Sequence, residues 1–121
     1  MIVVLFSTTA RGDLDLEDYR RASARMRELV ATVPGFISYN SYRAEDGETV
    51  AIVRFDSEEA LDAWRFHPEH REVQDKGRQS YYQGYWVQVC STLREYRFPG
   101  HGPERDLRTL FAAGSAINAA E

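Results

Sequence analysis

The stretch Phe36–Phe55, FISYNSYRAEDGETVAIVRF, decides the fold. From Phe36 to Tyr42 apolar and polar residues alternate, as in a strand with one wet face, although Phe36, Tyr39 and Tyr42 blur the phase. Glu45-Asp46-Gly47 supplies turn chemistry, and Thr49–Phe55 returns as the second arm of a hairpin. A helical pattern flanks this hairpin on each side, and a strand pattern lies beyond each helix.

Upstream, Ile2-Val3-Val4-Leu5-Phe6 is a short β-branched and aromatic run that ends in Ser7-Thr8-Thr9, and it reads as a buried strand. Asp13 and Asp15 offer N-caps for a helix whose apolar face is Leu16, Tyr19, Met26, Leu29, Val30 and Val33, and Pro34-Gly35 stops it. Downstream, Asp56 and Glu59 have the spacing of a capping box for a short helix with Ala60, Leu61 and Trp64 inward. Pro68 suits the first position of a second short helix, Glu69–Lys76, which Gly77 ends.

Tyr81–Phe98 is the longest extended stretch, with Tyr85, Val87, Val89 and Leu93 on one face and Trp86, Cys90, Tyr96 and Phe98 on the other. The order β-α-β-β-α-β predicts an α+β, ferredoxin-like fold with a four-stranded antiparallel sheet and helices on one face. A last strand apolar on both faces needs cover on both. The chain has helices for one only, so a second copy of the protein is the expected cover for the other. The fold is expected to occupy residues 1–98. Residues 99–121 form an extension in which Leu107, Leu110 and Phe111 suggest a short helix.

Composition removes several function classes. Lys and Arg number 15 against 19 Asp and Glu, a net charge of −4, and residues 45–75 carry ten acids against three bases. That balance disfavours nucleic acid and anionic membrane surfaces as partners. No apolar run approaches the ~20 residues of a spanning helix. The single Cys90 excludes a disulfide framework, and with no signal-peptide pattern the expected location is the cytoplasm. Cys90 itself, mid-strand among apolar neighbours, reads as an inert core thiol. The eight glycines form neither a G-x-G-x-x-G fingerprint nor a phosphate loop, and no G-x-S-x-G elbow is present.

The segment that can carry chemistry is Trp64-Arg65-Phe66-His67-Pro68-Glu69-His70-Arg71-Glu72-Val73-Gln74. His67 and His70 are three apart, and a metal would need a third ligand, for which only His101 is available. Either histidine is chemically suited to accept a proton near neutral pH. Equally, His67 suits a cap for the Pro68 helix and His70 a hydrogen bond to a backbone carbonyl. Trp64 is either core or a contact to a bound ring. The cluster Tyr81, Tyr82, Tyr85 and Trp86 either lines a pocket for a flat aromatic ligand or forms an interface, with Tyr85 assigned to the pocket side and Trp86 to the interface side.

Together these residues resemble the antibiotic biosynthesis monooxygenase (ABM) domain family of the dimeric α/β-barrel superfamily. The resemblance rests on Pro34-Gly35-Phe36, the block Asp56–Arg65, Pro68-Glu69-His70-Arg71, Gln74, Gly77-Arg78 and the closing strand Tyr85–Tyr96. It implies a homodimer whose two sheets close a barrel, with a pocket between sheet and helices in each subunit. It further implies a monooxygenase that oxidises a small electron-rich aromatic with O2 and no cofactor. On this reading His70 is the proton acceptor, Trp64 positions the ring, and Ser7, His67, Gln74 and Tyr85 contact the substrate. Two alternatives stay open. One is a haem-degrading enzyme with His70 as axial ligand, although Ser7 stands where that branch has Asn and the Trp64–His70 spacing is shorter than usual. The other is a non-catalytic dimeric module that binds a small molecule.

Overall fold

The computed structural model describes residues 1–102; the expected helix at Leu107, Leu110 and Phe111 lies outside the described residues. The elements are β1 (Ile2–Ala10), α1 (Leu16–Val30), β2 (Phe36–Arg43), β3 (Thr49–Phe55), α2 (Glu58–Arg65), α3 (Pro68–Lys76), one turn of π-helix (Gly77–Tyr81) and β4 (Tyr82–Ser91). The strands form one antiparallel sheet in the order β2-β3-β1-β4. This is the ferredoxin-like α+β arrangement that the central hairpin predicts.

Local chemistry sets the element ends. The Asp15 carboxylate caps α1 by accepting from the Asp18 N–H at 3.1 Å. Gly35 follows α1 with φ +92°, a left-handed turn that a side chain would strain, and a Cβ there would also lie 2.7 Å from that of Ala60. The cap of α2 is Ser57, whose hydroxyl accepts from the Ala60 N–H at 3.2 Å, and not Asp56. Asp56 is instead the end of the sheet: its own N–H donates to the Gly35 carbonyl at 2.8 Å.

Alternation along β1 divides the sheet into two faces. Ile2 and Val4 point to the helices, where Ile2 joins Leu29, Val30, Val33, Val53, Phe55, Ala60 and Trp64 in the buried core and Val4 packs against it. Val3, Leu5 and Ser7 point the other way. They stand beside Arg54, Ile52 and Val50 of β3 and Cys90, Gln88 and Trp86 of β4.

The last strand is shorter than the sequence pattern predicts. Its last pairing with β1 is Ser91 opposite Ile2, and the Thr92 N–H donates to the Met1 carbonyl at 3.0 Å. Leu93, Tyr96 and Phe98 lie beyond the strand and are exposed. Cys90 is also exposed, not a core thiol, because its side of the sheet has no helix over it among the described residues.

Candidate functional site

α2 and α3 meet at an elbow, Phe66–His67, and this elbow brings Trp64 and His70 together. Trp64 is buried at the end of α2. His70 lies one turn into α3, with its ring stacked on the indole at a centroid distance of 3.9 Å and an interplanar angle of 18°. The His70 Nδ1 is 3.0 Å from the Trp64 carbonyl oxygen. A carbonyl only accepts, so this bond places a proton on Nδ1 and leaves Nε2 as the lone-pair nitrogen of a neutral ring. Burial lowers the His70 pKa to about 4, against a smaller opposing effect of the Trp64 carbonyl. The ring is therefore uncharged at neutral pH.

His67 stands beside this pair, its ring centroid 6.4 Å from that of Trp64. Its Nδ1 accepts from the Glu69 N–H at 3.2 Å, which caps α3 and starts the helix at Pro68. Two ion pairs lay α3 along α1: Arg25 to Glu69 at 2.6 Å and Lys76 to Asp18 at 2.7 Å. The Arg25 guanidinium holds the Glu69 carboxyl below the ordinary carboxylate range, and Lys76, with the Tyr81 hydroxyl, does the same for Asp18.

From the core end of the sheet, an apolar strip runs along the helix side of β1 and β4. Val4 pairs with Val89, and Phe6 with Val87. On this strip Val89 is 57% and Val87 50% exposed, so the helices leave it open. It ends in an aromatic group: Phe6 meets Tyr82 and Tyr85 edge-on, each at 5.8 Å, and Tyr19 meets Tyr81 at 5.4 Å and Tyr82 at 6.2 Å. Burial pushes the Tyr82 phenol well above its ordinary pKa, so it remains protonated and able to donate. Tyr81 is fixed from α1, its hydroxyl donating to Asp18 at 2.6 Å.

The predicted site residues therefore separate into four places. Trp64, His67 and His70 come together at the elbow, and Tyr85 stands on the helix side at the aromatic end of the strip. Ser7 does not join them. It faces the opposite side of the sheet, 2% exposed, and its hydroxyl donates to the Glu48 carboxylate. Gln74 is also displaced. It is exposed and lines an outer depression with Arg65, Phe66, Arg71, Asp75 and Arg78.

Phe6, Tyr19 and Tyr82 belong to the aromatic end, though sequence reading assigned Phe6 and Tyr19 only to strand and helix core. Tyr19 had a signal in the α1 stripe, whereas Phe6 had none, because Ile2–Phe6 is apolar at every position. Among the described residues no three His, Cys, Asp or Glu side chains converge as a metal site, and no helix is long and apolar enough to cross a membrane.

The comparisons agree with this architecture. Residues 1–76 match the family model described as antibiotic biosynthesis monooxygenase. The uncharacterised Bacillus subtilis protein YqjZ is 36% identical over 80 residues, which cover 66% of this chain and 70% of YqjZ. Rv0793 from Mycobacterium tuberculosis superposes with a TM-score of 0.69 at 25% identity, covering 79% of this chain and 98% of its own. SnoaB from Streptomyces nogalater, a cofactor-independent oxygenase, shares the fold with a TM-score of 0.65 at 17% identity, covering 78% of this chain and 94% of its own. With a family match over most of its length, and with the elbow and sheet arranged as described, the chain belongs to the antibiotic biosynthesis monooxygenase family.

Proposed function

We propose that the protein is a cofactor-independent monooxygenase that oxidises a small electron-rich aromatic of anthrone, polyketide or quinol type with O2. The observation that carries this reading is the His70–Trp64 pair: a half-buried, neutral imidazole whose Nδ1–H is committed to a carbonyl and whose Nε2 is left to accept a proton. Family membership and the fold shared with SnoaB support it.

Dioxygen is a triplet and reacts slowly with closed-shell organic molecules, whereas an electron-rich carbanion reduces it by one electron. Removal of a proton from an anthrone by His70 Nε2 makes that anion. The new imidazolium beside it forms an ion pair that raises the otherwise low affinity of His70 for the proton. The radical pair recombines on carbon, and the His70 imidazolium returns its proton to the resulting peroxide to give a hydroperoxide. Loss of water from the hydroperoxide then leaves one oxygen atom in a new carbonyl, while the other departs with the two hydrogens of the oxidised carbon. A substrate ring laid on the open apolar strip of Val4, Phe6, Val87 and Val89 would displace water from it, and Tyr82 and Tyr85 orient the ring.

We also place the active form as a cytoplasmic homodimer. The sheet face opposite the helices carries Val3, Leu5, Ile52 and the 44%-exposed Trp86, apolar surface that a second copy would cover.

Oxygen uptake on an anthrone or hydroquinone, with chelator present and no cofactor added, tests the reading. Turnover supports it. A Soret band after addition of hemin, without oxygen uptake on the anthrone, would replace it with haem chemistry through the same Nε2. Against haem stands Ser7, which the sheet turns away from the helix-side strip. Absence of both signals would leave a binding module.

A further inference from the structure

A second feature of the α2–α3 elbow lies on its outer side and plays no part in the chemistry above. A surface depression of about 220 Å³ is lined by Arg65, Phe66, Arg71, Gln74, Asp75 and Arg78. Its construction follows from helix geometry. Residues 71, 74, 75 and 78 follow the i, i+3, i+4, i+7 pattern and form one stripe of α3 continued into the π turn. Glu69 and Lys76 take the α1-facing side through their ion pairs, which leaves the stripe to solvent. Arg65 and Phe66, at the end of α2, form the other wall.

The charge of this depression runs against that of the chain. Three arginines meet one carboxylate here, in a protein of net charge −4. Arg78 is partly committed: it pairs with Asp75 and donates to the Tyr85 hydroxyl at 3.3 Å. Among the described residues neither Arg65 nor Arg71 has a carboxylate partner. The Arg65 guanidinium instead lies 5.0 Å from the centroid of the Phe66 ring, which is itself 54% exposed. Two guanidinium forks without a carboxylate partner among the described residues, one of them over a half-exposed aromatic ring, and the Gln74 amide in the same lining have the composition of a receptor for a flat organic oxyanion. The forks suit a carboxylate or phosphate, and the Phe66 face suits the ring that carries it.

We propose that this depression is a binding site for a small aromatic oxyanion, separate from the Trp64–His70 pair. Through the Arg78–Tyr85 hydrogen bond it adjoins the aromatic end of the strip, so an occupant here would be felt at Tyr85.

Calorimetric titration of the full chain with 2-naphthoate, 2-naphthyl phosphate and uncharged 2-naphthylmethanol tests the site. At least one of the two anions should bind about tenfold or more tightly than the alcohol, and its affinity should fall as salt is raised. The double variant Arg65→Gln/Arg71→Gln should lose about tenfold in affinity, and Arg65→Lys/Arg71→Lys should recover part of it, because lysine restores charge but not the fork. His70→Asn should bind the anion as the parent does, which separates this site from the one proposed for catalysis. Which anion binds identifies the headgroup. Equal affinity for the alcohol, binding that survives the glutamine pair, loss of binding in His70→Asn, or no binding of either anion would each overturn the proposal.

Discussion

The imidazole of His70 lies flat on the indole of Trp64, 3.9 Å between centroids, while its Nδ1 donates to the carbonyl of that same tryptophan at 3.0 Å. Trp64 thus fixes both the plane and the tautomer of His70. The indole is anchored in turn by the core residues around Ile2 and Phe55. A proton acceptor built in this way is positioned by the packing of the fold itself.

Burial of His70 makes stability depend on pH. Its pKa is lowered from 6.5 to about 4 in the folded chain, so between those values the unfolded chain takes up a proton that the folded chain does not. Stability therefore falls as pH falls from 6.5 to about 4, by at most about 3 kcal/mol. The lowered pKa values of Asp18 and Glu69 act in the same direction but at lower pH, below the usual carboxylate range. Urea unfolding of His70→Asn should show a flatter dependence across that window. A slope equal to that of the parent would mean that His70 is not buried as described.

Gly77 is required by its neighbour. Its backbone is ordinary right-handed helix, but a Cβ would lie 2.6 Å from Cε2 of Tyr82. Gly77→Ala should force the Tyr82 ring out of its contacts with Phe6 and Tyr19, costing about 1–3 kcal/mol and raising KM for an aromatic substrate. Gly84→Ala, with nothing within 4 Å of its Cβ, is the control and should change stability by no more than about 0.5 kcal/mol. Chemical denaturation of both variants checks the contrast.

The sheet face assigned to Ser7 gives a kinetic prediction. Ser7→Ala should leave KM for an aromatic substrate within about twofold, since a side chain on the far face contributes no binding energy to the strip. Tyr85→Ala, which removes the edge contact to Phe6, should raise KM markedly. A rise in KM for Ser7→Ala equal to that for Tyr85→Ala would place Ser7 in the pocket after all.

Trp86 tests the proposed dimer. Glu placed there would set a charge on the apolar outer face, so Trp86→Glu should shift the sedimenting species from twice 13.9 kDa toward 13.9 kDa. A parent protein that sediments as a monomer would remove the second copy from the account.

The order of elements was legible because the hairpin at Phe36–Phe55 and the α1 stripe depend on local periodicity. What stayed hidden depended on contacts distant in sequence. β4 ends at Ser91, opposite Ile2, because a strand extends only as far as its pairing, so the apolar pattern that runs on to Phe98 overstates its length. Ser7 was misplaced because Ile2–Phe6 is apolar at every position and shows no alternation from which to take a phase. At the α2 cap, Asp56 and Ser57 are both good capping residues, and the bond from Asp56 to Gly35 decides between them. The His67–His70 elbow was legible as a cluster. Its stacking on Trp64, and the place of Gln74 in the outer depression, depend on how α2 and α3 pack at the elbow, which local periodicity does not encode.

The most direct test of the central claim is oxygen uptake on an anthrone by chelator-treated protein, parent against His70→Ala. The account predicts turnover by the parent and a rate reduced to that of the uncatalysed reaction in the variant. Unchanged uptake by His70→Ala would contradict it and remove His70 from the mechanism.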